Sequence, residues 1–356
     1  VILTKLEVSS FRNVVNLSLE PHPRLNLITG DNGAGKSSIL EAIQCLSTGH
    51  SFRTRKAREL ISRQSQSFTL TALFKDPNTA REHRCGLQRM RDGSVELRLD
   101  FEEVGSMSGV TRLLPVKALT PDSHKLIQEG PHERRQFLDW GVFHMEHSFF
   151  DIWKQFKRSL SQRNQLLRDS GSINELRTWD GLFVESAEQL NKLRAVYVEQ
   201  LAIALQKRMT DINARFHVEL QYRSGWSDEH KLADLLIRNL DYHRRMKTTT
   251  DGPHRAELSL LVDGVPAKQV LSRGQQKVLV YLLHLSQLDL LANINARQAV
   301  VLCDDLTSEL DKEHSTELIR QLLDLDGQVF VSAVDLEVLR DYEHTEFRIE
   351  HGGLKK

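Results

Sequence analysis

Residues Gly30-Asp31-Asn32-Gly33-Ala34-Gly35-Lys36-Ser37 match the pattern G-x-x-x-x-G-K-[ST] at every fixed position. Residues of these types at this spacing handle phosphate. The glycines let the backbone take conformations that a Cβ would block, so successive N–H groups converge on an anion. Lys36 offers a cation to the β/γ-phosphates, and Ser37 offers a hydroxyl to Mg2+. A second chemical set, Asp304-Asp305, closes the apolar run Val300-Val301-Leu302-Cys303. Beside a phosphate loop, Asp304 would bind Mg2+ and Asp305 would orient or deprotonate an attacking water. Standing alone, an Asp pair after a strand could equally cap the next helix. Together the two sets predict chemistry on a nucleoside triphosphate with Mg2+, with Gly30 to Ser38 around the phosphates.

Such a loop must sit between a strand and a helix, and the sequence supplies both. Leu25-Asn26-Leu27-Ile28 reads as a buried strand, and residues 38–46 carry apolar side chains at helical spacing. Residues 1–100 read mostly as strands, including a hairpin around Arg91-Asp92-Gly93. From about Glu133 to Met246 the apolar period becomes 3.6, with a brief return to alternation at 216–222. Beyond Gly252-Pro253 the pattern is strand 257–262, helix 275–291, strand 299–303, helix 312–325 and strand 328–331. An α/β module is thus interrupted by helices and then completed, with boundaries expected at 1–115, 116–248 and 249–356.

The chain has 356 residues, long enough for one large or two ordinary domains, with 48 basic and 48 acidic residues. Any nucleic-acid site must therefore be a local patch and not a global field. The three cysteines, Cys45, Cys85 and Cys303, show no C-x-x-C spacing, which points to a reducing compartment. No apolar run approaches the ~18 residues of a membrane span, and the first residues lack signal character, so a cytoplasmic protein without membrane association is expected.

Leu271-Ser272-Arg273-Gly274-Gln275 precedes the long apolar helix, and Ser308-Glu309-Leu310-Asp311 follows the acidic pair. As isolated strings they are weak, because Ser-x-Gly is an ordinary helix start. In order around a phosphate loop and an Asp-Asp strand, they resemble the L-S-x-G-Q signature and D-loop of the ATP-binding-cassette superfamily. Phe11-Arg12-Asn13, Phe137-Leu138-Asp139-Trp140-Gly141 and Gly252-Pro253-His254-Arg255 extend the likeness over essentially the whole chain, which resembles the RecF family of bacterial recombination mediators.

That resemblance implies an ABC-type P-loop ATPase head, similar to those of SMC proteins, with an inserted helical arm. It implies that Arg12 and Asn13 lie with the nucleotide. It also implies that Ser272, Gly274 and Gln275 meet the γ-phosphate held by a second copy, a role suited to a helix start. ATP-driven homodimerisation on DNA follows, as do slow DNA-stimulated hydrolysis used as a switch, cooperation with RecR and RecO in loading RecA at gaps, and support of SOS induction.

The chain departs from the wider superfamily at two points. It has Asp305 where Glu is usual, and Val329-Phe330-Val331-Ser332-Ala333 offers Ser332 where a switch His is usual. No Q-loop glutamine is evident near Pro121-Asp122, so no γ-phosphate sensor is assigned.

For DNA, the basic stretch Arg53, Arg55, Lys56 and Arg58 is the first candidate. Lys154, Lys157, Arg158 and Arg163, and His243 to Lys247, are others, and neither of these two sets shows interleaved aromatics for stacking. Charged runs are also ordinary solvated faces. His144-Met145-Glu146-His147 reads as helix packing and not as a metal pair. The rival functions are another ABC-type machine, transporter or SMC-like, and a small-molecule phosphotransferase, which would need no signature string.

Overall fold

The structure is a computed structural model that describes residues 1–54, 56–77, 79–212, 214–295, 297–305, 312–325, 327–332, 339 and 342–355. Two compact units divide it: Val1–Ser123 with Lys277–Lys356, and His124–Gln276. In chain order the first stretch runs β1 (Ile2–Phe11), β2 (Val14–Leu19), β3 (Leu25–Thr29), α1 (Lys36–Thr48), β4 (Ser67–Lys75), β5 (Glu82–Met90), β6 (Val95–Leu99), β7 (Glu102–Glu103), α2 (Met107–Leu113) and β8 (Val116–Leu119). The second unit holds α3 (Lys125–Gln128), α4 (Pro131–Met145), α5 (Phe149–Arg168), α6 (Ile173–Asp211), β9 (Glu219–Arg223), α7 (Leu232–Arg238), α8 (Leu240–Met246), β10 (Glu257–Val262), β11 (Val265–Pro266) and α9 (Ala267–Val270). The chain closes with α10 (Arg273–Asn295), β12 (Val300–Asp304), α11 (Lys312–Leu323), β13 (Val329–Ser332), β14 (His344–Glu350) and β15 (Gly353–Leu354).

The first unit contains an antiparallel sheet in the order β2-β1-β4-β5-β6-β7 and a mostly parallel sheet in the order β15-β14-β3-β13-β12-β8. Their sequences explain the difference. In β4 the buried Phe68, Leu70, Ala72 and Phe74 alternate with less buried neighbours, the period of a strand with one wet face. By contrast β12 and β13 are buried at every residue, as expected of parallel strands covered on both sides. Helix α1 packs into the same apolar core as both sheets. Its Ile39, Leu40, Ile43 and Leu46 join Leu6, Val8 and Phe68 of the antiparallel sheet and Ile28, Val300 and Phe330 of the parallel one. Each such side chain contributes about 1.5–3 kcal/mol when fully buried, so the helix that carries the phosphate loop at its start is fixed in the core of this unit.

In the second unit α5 and α6 form a helical hairpin stabilised at its turn by Ser172, which caps α6 in a reciprocal box with Glu175. Phe156 and Phe183 pack across it with centroids 5.6 Å apart and rings tilted by 35°. A three-stranded sheet, β11-β10-β9, completes the unit.

The fold class agrees with the sequence reading: an α/β head architecture accompanied by helices. Six strands were not anticipated: β2, β7, β8, β11, β14 and β15. In β8 the apolar pattern is broken by Lys117, which is buried and donates to the Gln287 side chain of α10.

Candidate functional site

The loop leaves β3 at Gly30, whose φ is 137°. A Cβ there would stand 2.2 Å from the Ile349 carbonyl oxygen of β14, so this position needs glycine both for its backbone angle and for its neighbour. Gly33 also has positive φ, 80°, and the space in front of it is open. Gly35 begins α1 in the left-handed region, and no side chain caps the helix start. The first-turn N–H groups therefore face the loop cavity with the positive end of the helix dipole behind them. The Lys36 ammonium folds back onto the loop and donates to the carbonyls of Gly30 at 2.7 Å and Asp31 at 3.0 Å.

The acidic pair reaches this loop through sheet register. Ser332 of β13 pairs with Ile28 of β3 on one side and with Asp304 of β12 on the other, which places the loop and both carboxylates at the carboxyl ends of parallel strands. The Ser37 hydroxyl donates to Asp304 Oδ1 at 2.9 Å, and the Ser332 hydroxyl donates to the same oxygen at 2.6 Å. The Asp305 N–H donates to the Ser332 carbonyl at 3.1 Å and to its Oγ at 3.2 Å. Asp305 adopts φ 50°, an uncommon angle for a residue with a Cβ. Around these groups lies a cleft of about 860 Å³, lined by Arg12, Asn13, Lys36, Arg53, Asp304 and Asp305 among others.

Asn13 bonds to the loop at both ends of its amide: Nδ2 donates to the Gly33 carbonyl at 3.2 Å, and Oδ1 accepts from the Ser38 hydroxyl at 2.8 Å. Arg12 lines the cleft, yet its guanidinium is engaged by both carboxylate oxygens of Glu41, at 3.0 and 2.5 Å, and by the Glu59 carbonyl at 3.1 Å. Glu41 lies on α1 and is fully buried. Sequence reasoning missed it, since a lone Glu in an amphipathic helix reads as surface.

A cleft of this size, with an uncapped helix start, a lysine held among the described residues by neutral carbonyls, and a serine and carboxylate in contact, fits a nucleoside triphosphate with a divalent cation. Lys36, Ser37 and Asp304 are the residues that would hold them. The structure thus brings together the loop, Arg12, Asn13, Asp304 and Asp305. The segment 306–311, with the D-loop string, lies outside the described residues.

Ser272, Gly274 and Gln275 lie in the second unit. Ser272 caps α10: its Oγ accepts the Gln275 N–H at 3.3 Å, while Gln275 Oε1 accepts the Ser272 N–H at 2.9 Å. Of the basic stretch, Arg55 lies outside the described residues. Lys56 pairs with Glu59 at 3.4 Å, and Arg58 donates to the neutral Arg91 carbonyl at 3.0 Å.

Two expectations change on the arm helices. Arg163 is completely buried and is bonded to Asp180, Thr249 and His243, which removes it from any surface, and His243 is buried with it. Aromatic residues do flank some of the remaining cations: Lys157 lies 5.3 Å from the Trp153 centroid, Arg158 6.0 Å from that of Trp179 and Arg245 5.9 Å from that of Tyr242. His144 packs against Trp140 and Phe143.

The strings Phe137 to Gly141 and Gly252 to Arg255 prove architectural. Arg194 of α6 forms a fork with both oxygens of Asp139, at 2.8 and 3.0 Å, and donates to the Pro253 carbonyl at 2.8 Å. Gly141 faces Tyr197 so closely that a Cβ would fall 2.0 Å from its hydroxyl oxygen.

Residues 2–352 match the family model described as the RecF/RecN/SMC N terminal domain. A protein of Shewanella baltica strain OS223 named DNA replication and repair protein RecF is 40% identical over 98% of both chains. A solved structure described as the recombination mediator protein RecF–ATPrS in the RecFOR pathway superposes with a TM-score of 0.88 at 27% identity, over 99% of this chain and 97% of that one. The Smc head domain of Pyrococcus furiosus shares the fold, with a TM-score of 0.59 at 14% identity over 98% of this chain and 94% of that one.

Proposed function

The chain belongs to the RecF family, and on that premise we propose that it is an ATP-gated DNA-binding protein of recombinational repair. The observation that carries this reading is the contact between Ser37 and Asp304 at the mouth of the phosphate loop, with Lys36 resting on the loop carbonyls nearby. Because the Ser37 hydroxyl donates its hydrogen bond to Asp304, its oxygen lone pairs are left for a cation, and Lys36 needs to leave only neutral acceptors to meet a phosphate. Mg2+ bound there would neutralise charge on the β- and γ-phosphates. Asp305, at the cleft wall, is the proposed base for the attacking water.

The capped helix start at Ser272, with Gly274 and Gln275, is the surface proposed to seal the nucleotide of a second copy. The division into an ATPase head and an inserted helical arm is part of the same proposal. Joined heads would complete a DNA site drawing on Arg53, Arg55, Lys56 and Arg58, and slow hydrolysis would release it. RecR, RecO and RecA are the proposed co-workers at gapped DNA, with a consequence for SOS induction, in the cytoplasm.

The test is a titration with duplex, single-stranded and gapped DNA, with and without a non-hydrolysable ATP analogue, with the oligomeric state followed in parallel. Tighter DNA binding together with analogue-dependent dimers is expected. DNA affinity and mass indifferent to the analogue would overturn the reading.

A further inference from the structure

Asp304 Oδ1 receives two hydroxyl donors from opposite sides, Ser37 at 2.9 Å and Ser332 at 2.6 Å. One donor belongs to the phosphate loop and the other to the neighbouring strand, so together they fix the rotation of the carboxylate. Ser332 is 2% exposed and stands opposite Asp304 in register, which leaves its hydroxyl little freedom to turn elsewhere. The same hydroxyl also accepts the main-chain N–H of Asp305, whose φ of 50° is held by this bond and by the parallel bond to the Ser332 carbonyl. Such an angle in a residue with a Cβ persists only when its surroundings enforce it. One side chain thus touches both the carboxylate that would hold the cation and the backbone that aims the candidate base.

We propose that Ser332 is a positioning residue that couples occupancy of the Ser37–Asp304 cation site to the placement of Asp305. This deepens the nucleotide reading above and rests on it. A hydroxyl suits the task because it can donate and accept at once. Removing it takes one of the two hydroxyl donors from Asp304 Oδ1 and one of two acceptors from the Asp305 N–H. Cation affinity and base placement should then suffer together, whereas nucleotide contacts made by the loop alone should not.

The experiment compares wild type with Ser332→Ala, Ser332→Cys and Ser332→Thr. Affinity for a fluorescent non-hydrolysable ATP analogue is measured by equilibrium titration across Mg2+ concentrations, and steady-state hydrolysis is followed alongside. For Ser332→Ala the Mg2+ concentration at half-maximal tight binding should rise about tenfold or more, the scale of a lost hydrogen bond to a charged acceptor. Affinity in EDTA should be unchanged, and kcat should fall with little change in KM. Ser332→Cys should shift the same way with side-chain volume kept, and Ser332→Thr should restore both readouts. In an Asp305→Asn background, Ser332→Ala should still move the Mg2+ midpoint but should not slow hydrolysis further.

Wild-type Mg2+ dependence in both Ser332→Ala and Ser332→Cys would overturn the coupling. A uniform loss of affinity in EDTA would overturn it as well, by showing a structural role. If wild type itself bound no nucleotide, the nucleotide reading would fail instead, so the two failures are distinguishable.

Discussion

Lys36 in the first unit and Arg194 in the second both donate to main-chain carbonyls, but they are held in opposite ways. Lys36 rests on two neutral carbonyl oxygens of its own loop. Arg194, with a side chain only 3% exposed, has its charge matched by the Asp139 carboxylate and a further N–H taken by the Pro253 carbonyl. Arg163 repeats the second pattern with Asp180 and Thr249. On the proposed reading, Lys36 would receive an incoming phosphate, and it is kept on weak, easily exchanged partners. A cation meant to join helices is neutralised where it lies, because a buried charge without its partner is costly. The partners of a basic residue thus separate a binding role from an architectural one.

The largest test of this contrast is Arg194→Ala. It strands the Asp139 carboxylate, and stability should fall by about 3–5 kcal/mol, seen as a lower urea midpoint. An unchanged midpoint would mean that the fork contributes no net stability.

Next comes pH. His254 of the Gly252 to Arg255 turn donates from Nε2 to the Thr249 carbonyl at 2.9 Å, and its Nδ1 is buried without a partner. Burial lowers its pKa from 6.5 to about 4, so the folded protein keeps the ring neutral. As pH falls below 6.5 the unfolded chain takes up a proton that the folded one refuses. Stability present above that value should therefore decline toward pH 4, by roughly 3 kcal/mol in all from this group. His254→Gln should flatten that part of a stability–pH curve, and a slope equal to wild type would assign the loss to other groups.

Lys36→Ala should weaken ATP binding by about 10- to 100-fold while shifting unfolding by no more than about 0.5 kcal/mol. A large stability loss would erase the distinction from Arg194. The smallest effect concerns Arg53: if it contacts duplex phosphate, Arg53→Gln should reduce the log-affinity against log-salt slope by about 0.9. An identical slope would place its charge away from the DNA.

What could be read in advance follows the same division. Gly30 to Ser37, Asp304 and Asp305 were legible because their chemistry fixes residue types at fixed spacing along one chain. The apolar alternation of β4 and the buried run of β12 were legible for a similar reason. Strand β14 was not, since among its seven residues only Phe347 and Ile349 are buried, too few to set a period. Strand β8 was obscured by Lys117, whose partner Gln287 lies 170 residues away. Ser332 was seen only as the absence of a histidine, and its bonds to Asp304 and Asp305 depend on strand pairing. Asp139 was noticed only inside a family-like string, and its pairing with Arg194 carried no local signal, because their fork spans 55 residues.

All three thiols are enclosed in packed side chains. Burial raises the pKa of Cys45 and Cys85 to about 12 and moves that of Cys303 upward as well. At neutral pH almost no thiolate exists, and alkylating reagents find nothing to attack. A single cysteine introduced at an exposed position such as Val270, which is 50% exposed, would be the sole reactive handle. A dye or spin label attached there could report the approach of two copies without first stripping the native sulfurs from the core.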